Sequence, residues 1–169
     1  MPLRALLVAL SFAALPSACD GDASADPPAR RAAEFRSPAV EAELERAATV
    51  VRTRGFTDVE GTPWRGFLVD RGAAVDELRL RRGSCYVVLA AVSAAMEDLT
   101  IALYDSDGGE VAHSAPGTRA LRYCPPQTGT YFVALRAEGS GLFAVARFEG
   151  PTGLDIRLDD LARDREAGP

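Results

Sequence analysis

The sequence predicts a mainly β protein: an antiparallel sandwich or barrel of about eight strands, preceded by one amphipathic helix. Three observations carry this. The chain has 169 residues and 17.9 kDa, room for one ordinary domain. Residues Ser37–Arg54 place apolar side chains at helical spacing. From Thr62 onward the pattern changes to period two, in short runs broken by turn residues.

The leader comes first. Met1–Arg4 carries one positive charge, and Ala5–Leu15 (ALLVALSFAAL) is an unbroken run of apolar and small residues. A helix that spans a bilayer needs about 20 such residues, so this run is too short. Pro16, Ser17, Ala18 and Cys19 follow. The layout reads as a secretory signal peptide over 1–18. It resembles a bacterial lipoprotein signal, in which a small residue precedes a cysteine that receives a thioether-linked lipid. Pro16 stands where that pattern has Leu, and Leu15 lies one position further back. The resemblance implies lipid attachment at Cys19, a membrane partner, and a protein exported to the cell envelope, on the outer membrane or a periplasmic face. Plain secretion and an uncleaved anchor are the alternatives. Residues 19–36 read as a flexible tether, because Asp20–Ala33 holds Gly, Ser, two Pro and three Asp and no aromatic residue.

Charge narrows the partners. Lys+Arg is 19, all of it Arg, against 24 Asp+Glu, a net charge of -5. Removal of 1–18 takes away Arg4 and no acid, so 18 minus 24 leaves -6. A nucleic-acid partner is not expected of such a chain.

Residues 37–55 form the helix. Val40, Leu44, Ala47, Ala48 and Val51 make a narrow stripe. Ser37 is a plausible N-cap, Pro38 fits the first position, acids lie early, arginines late, and Gly55 stops it. The stripe predicts a helix laid on the edge or face of a sheet.

The sandwich occupies 56–151. Its strands are expected at Trp64–Asp70, Val75–Leu80, Ser84–Val92, Leu99–Tyr104, Glu110–Ser114, Arg119–Cys124, Thr130–Arg136 and Leu142–Phe148. Ser84–Val92 is apolar on both faces, as in a central strand covered on both sides, and the helix is available for the second face. Asp105–Gly109 supplies a turn. Pro125-Pro126 ends a ladder. Thr130–Arg136 and Leu142–Phe148 read as a hairpin across Ala137–Gly141. The tail, 152–169, carries Leu154, Leu158 and Leu161 at helical spacing, consistent with a short docked helix or a frayed end.

These strands carry a second resemblance. Asp98-Leu99-Thr100-Ile101-Ala102-Leu103-Tyr104-Asp105, Gly129-Thr130-Tyr131-Phe132-Val133 and Gly139-Ser140-Gly141 run in the order of the bacterial pre-peptidase C-terminal domain. Thr100 stands where that family commonly has an acidic residue. The likeness covers about residues 62–149. It implies a jelly-roll-like β-sandwich, an accessory module on secreted enzymes and lipoproteins, with no catalysis of its own.

Three Cys is an odd count. If Cys19 is lipidated, Cys85 and Cys124 remain, and export permits a disulfide between them. Two free buried thiols are the alternative. A metal site needs more soft ligands than two Cys and one His. Asp98, Asp105, Asp107 and Glu110 cluster around one strand and its turn, and Ca²⁺ is the metal such carboxylates suit. Shaping the turn is the commoner use of such residues, the missing acid at Thr100 counts against a metal, and the expectation is no cofactor.

His113 is the single histidine. Glu110 and His113 share a short strand, while the adjacent Ser114 faces the other way, so no local Ser/His/acid arrangement forms. Gly139-Ser140-Gly141 is a connection rather than a phosphate cradle. Trp64, Tyr86, Tyr104, Tyr123 and Tyr131 raise a glycan-stacking surface against ordinary core packing. Arg79, Arg81 and Arg82 read as a solvated strand edge. The function expected is a non-catalytic envelope lipoprotein whose sandwich binds an envelope protein or a glycan. The alternative is a secreted hydrolase or metal-dependent enzyme using His113 with Glu110 or Asp105.

Overall fold

A computed structural model describes residues 35–59, 63–154 and 156–158. The leader, Cys19 and nearly all of the expected tether lie outside the described residues, as does Leu161.

Helix α1 spans Pro38–Thr53. Ser37 holds the N-cap position with extended backbone, and its carbonyl accepts from Glu41 N at 2.9 Å. Its hydroxyl makes no capping bond. Val40, Leu44, Ala48 and Val51 form the buried stripe. Gly55, at φ 92°, turns the chain out of the helix.

Nine strands follow: β1 (Thr57–Asp58), β2 (Trp64–Leu68), β3 (Ala73–Leu80), β4 (Ser84–Val92), β5 (Met96–Tyr104), β6 (Glu110–His113), β7 (Ala120–Tyr123), β8 (Gly129–Gly139) and β9 (Gly141–Pro151). From β2 onward the first strand pairs with the last and the order closes inward. β2 meets β9, β3 meets β8, β4 meets β7 and β5 meets β6, all antiparallel. Wrapping this double ladder sets β4 beside β9 and β5 beside β8. Two sheets result, β2-β9-β4-β7 and β3-β8-β5-β6. This is the strand order of a jelly roll. The two-residue β1 adds to the β2 edge of β9 and is too short to leave a period-two signal.

The hairpin expected between β8 and β9 does not form, because the two strands lie in opposite sheets. Ser140 alone separates them, and Gly139 at φ 81° lets the chain arch from one sheet to the other. Ser140 Oγ accepts from Asp70 N at 2.8 Å, and Asp70 Oδ1 accepts from Gly139 N at 2.9 Å. The β2–β3 turn therefore latches the arch.

β4 shows why three layers form. Its residues alternate between two cores. Tyr86, Val88, Ala90 and Val92 enter the core between the sheets, with Leu99, Ile101, Leu103, Val133 and Leu135 from the facing sheet. Cys85, Val87, Leu89 and Ala91 point the other way, to Val40, Leu44, Ala48 and Val51 of α1. The helix thus covers the outer face of β2-β9-β4-β7, as the two-faced apolar run predicts. Ile156 is buried in that second core, and Leu154 and Leu158 pack against it, so the described start of the tail is docked.

Candidate functional site

Burying one face of every strand decides what the other face offers. In the sheet β3-β8-β5-β6 the inward set is Leu78, Leu80, Leu99, Ile101, Leu103, Tyr131, Val133 and Leu135. Strand alternation then turns Val75, Glu77, Phe132, Ala134, Ala102 and Tyr104 outward. The registers align them in rows. Val75 lies opposite Ala134, Ala134 opposite Ala102, and Ala102 opposite His113. The next row is Glu77, Phe132, Tyr104 and Glu110. Among the described residues no element packs on this face. Val75 is 61% exposed. The face has a small-residue centre, an apolar end at Val75, and Glu110 and His113 along the β6 edge.

His113 Nδ1 and Glu110 Oε1 are 3.0 Å apart, and Tyr104 donates its hydroxyl proton to Glu110 Oε2 at 3.3 Å. All three lie in solvent-accessible positions. Ser114 does not join them. It is buried, and its hydroxyl accepts from Ile101 N at 3.0 Å on the inner side. The Ser/His/acid arrangement therefore does not converge.

The acidic residues considered for Ca²⁺ are not brought together. Asp98 sits near the start of β5 and Asp105 just past its end, seven residues and about 23 Å along the strand. Asp98 accepts from Leu99 N, and Asp105 Oδ1 accepts from Asp107 N at 3.0 Å and Gly109 N at 2.8 Å. The Asp105 carboxylate shapes its own turn. Among the described residues no group of three metal-ligating side chains occurs.

Cys85 and Cys124 form a disulfide. It ties β4 to the end of β7, next to the Tyr86–Tyr123 register pair. Most of the aromatic residues considered for glycan stacking are consumed by packing. Tyr86 and Tyr131 are buried in the core between the sheets, and Trp64 and Tyr123 pack against it. Trp64 meets Phe143 edge-on at 5.3 Å, and Tyr123 meets Tyr131 at 5.7 Å. Burial and the neighbouring Tyr131 and Asp105 push the Tyr123 hydroxyl above its ordinary value. Only Tyr104 of the five lies on the uncovered face.

The arginine cluster lies at the β3 edge. Arg79 is exposed, while Arg81 pairs with Glu149 at 2.8 Å, and its backbone N–H donates to the Tyr86 hydroxyl at 3.0 Å. Beside it Arg147 of β9 reaches across the sandwich to Asp76 of β3. Arg147 lines a cleft of about 220 Å³ between the sheets, with Leu78, Leu80, Tyr86 and Val88. Burial pushes the Glu149 carboxyl up, but hydrogen bonds from Ser84, Arg81 and Tyr86 and the Arg81 charge bring it below its ordinary value. A second, open cleft of about 700 Å³ lies where α1 begins, lined by Ser37, Glu43, Arg46, Ser93, Glu97 and Arg119.

The sequence reading missed the uncovered face itself. Val75, Ala102, Phe132 and Ala134 look like ordinary strand residues, and the available signal was composition: two sheets and one amphipathic helix leave one outer face uncovered. The strand predicted over Trp64–Asp70 ends at Leu68 instead, which leaves Val69 and Asp70 in the turn before Arg71 and Gly72.

No protein-family model and no curated protein matches the chain. Among solved structures it is similar to a periplasmic inhibitor of g-type lysozyme, PliG, from Aeromonas hydrophila, at 10% identity and a TM-score of 0.45, over 53% of this chain and 85% of that one.

Proposed function

We propose that this chain is a non-catalytic envelope lipoprotein, held to a membrane through Cys19, whose β-sandwich docks another envelope protein on the outer face of β3-β8-β5-β6. The uncovered face carries the reading. It sets an exposed Val75, a flat Ala134–Ala102 centre and half-buried Phe132 and Tyr104 inside a rim of Glu77, Glu110, His113 and Arg136. An apolar centre with a charged rim is the ordinary composition of a protein interface. A glycan is the weaker partner, because stacking on a sugar needs free aromatic faces and four of the five aromatics named above serve the core. The leader and the Cys85–Cys124 disulfide support export to an oxidising compartment.

Two experiments test the reading. The mass of the N-terminal peptide purified from membranes is expected to show an acylated Cys19; an unmodified Cys19 or an intact Met1 removes the anchor. The Ala102→Arg variant raises a bulky charge in the centre of the face. It is expected to lose the partner with its melting temperature unchanged, and retention of the partner would remove the face.

A further inference from the structure

The end of the sandwich at which the chain arrives from Cys19 also carries the exposed apolar residues of the β2–β3 tip. Ser37, the residue before α1, lines one cleft with Ser93 of the β4–β5 connection. Ser93 N donates to Leu142 O, and Leu142 is the register partner of Phe67. Phe67 is 50% exposed and Val69 61%, two of the three large apolar residues exposed among the described residues. Arg71 follows at the apex with φ 58°, a backbone region in which glycine or asparagine costs least. Its side chain is 91% exposed, and its one ionic partner among the described residues is Asp70, at 3.8 Å. Asp70 itself is turned back to Gly139 N.

We infer that this tip, Phe67, Val69 and Arg71, is a lipid-contacting surface that rests on the bilayer bearing the Cys19 anchor. The inference rests on the lipoprotein reading above for the source of the anchor. Phe35, the first described residue, lies sixteen positions after Cys19. Fully extended, those sixteen steps reach about 55 Å at roughly 3.3–3.6 Å each. The eleven-residue strands make the sandwich about 36 Å long. The tip is therefore the first part of the domain to meet the bilayer, while the far end, with the Asp105–Gly109 turn, must use most of the stretched length. Phe67 and Val69 bury apolar area among the acyl chains near the interface, and Arg71 reaches the headgroup phosphates. Two apolar side chains and one cation bind lipid weakly when free. Tethering makes the contact intramolecular and raises the effective lipid concentration.

The test uses the mature chain, residues 19–169, coupled through Cys19 to a maleimide lipid in vesicles of phosphatidylethanolamine and phosphatidylglycerol. Coupling is selective because Cys85 and Cys124 are disulfide-bonded. A photoreactive residue replaces Phe67 or Val69 at the near end, or Asp107 or Gln127 at the far end. All four positions are exposed, and an unchanged melting temperature confirms the fold. Lipid adducts at 67 and 69 are expected to exceed those at 107 and 127 at least tenfold. Equal yields at the two ends, a greater yield at the far end, or no adduct at 67 and 69 overturns the inference. Because the anchor is supplied chemically, an unmodified Cys19 in cells counts against the lipoprotein reading and not against the tip.

Discussion

Arg65, on β2, grips Glu41, on α1, with two parallel hydrogen bonds: Nε to Oε1 at 2.5 Å and a terminal nitrogen to Oε2 at 3.0 Å. The pair sits at the margin of the helix–sheet core and fixes where the start of α1 crosses the β2 edge. The Arg65 hydrogen bond outweighs burial and holds the Glu41 carboxyl below its ordinary 4.5. A depressed carboxylate contributes stability that is present above its unfolded value and is lost as pH falls through its folded value. Part of the stability at neutral pH is therefore expected to disappear on acidification below about pH 4.5, with Asp58, held down by Arg52, adding to the loss. Glu41→Gln is expected to cost about 1 kcal/mol at pH 7, discounted for the partly open site, and to flatten the acid limb. Urea titrations of both proteins at pH 7 and pH 3.5 check this; an unchanged acid limb in the variant would contradict it.

The Cys85–Cys124 bond joins two positions at a sequence separation of 39, with β5 and β6 between them. In the chain-entropy treatment such a loop is worth about 4 kcal/mol. Reduction, or the double Cys85→Ala and Cys124→Ala variant, is expected to lower stability by that order. Peptide mapping without reductant should recover the linked pair, and recovery of both as free thiols would refute it.

Gly66 lies against the Phe143 ring, where an added Cβ would sit 2.7 Å from one ring carbon and 2.8 Å from another. The ring is itself held edge-on by Trp64. Gly66→Ala is expected to destabilise by about 1–3 kcal/mol through overpacking, read as a lower melting temperature. A variant as stable as the parent would mean that the ring has room to move.

His113 is about two-thirds exposed, and its one polar partner among the described residues is Glu110. His113→Ala is expected to change stability by less than about 0.5 kcal/mol. A measured hydrolytic turnover that vanishes in this variant, with the fold intact, would place chemistry at His113 and overturn the binding reading.

Much of the fold was legible because it is written in local periods. Ser84–Val92 lacks a polar face, so it needed cover on both sides, and β4 has sandwich core on one side and α1 on the other. The pairing of β8 and β9 was not legible. Alternation says which side of a strand is buried but not which strand lies beside it, and a short Gly-Ser-Gly link suits an arch as well as a hairpin. The Arg147–Asp76 pair was not legible either, since both residues point inward at the sandwich lip, where a polar side chain is not expected, and satisfy each other. The candidate face was hidden for a related reason. Val75, Ala102 and Ala134 become a surface because helix α1 goes to the opposite sheet, a choice that no local pattern encodes.

The outer face of β3-β8-β5-β6 is expected to hold a protein in the envelope. The most direct measurement is photo-cross-linking in living cells, with the reactive side chain at Val75 and, as a control, at Thr49 on the exposed side of α1. One discrete protein adduct is expected from position 75, absent from position 49 and abolished by Ala102→Arg. Adducts from both positions alike, none from position 75, or an adduct that survives Ala102→Arg would contradict docking on this face.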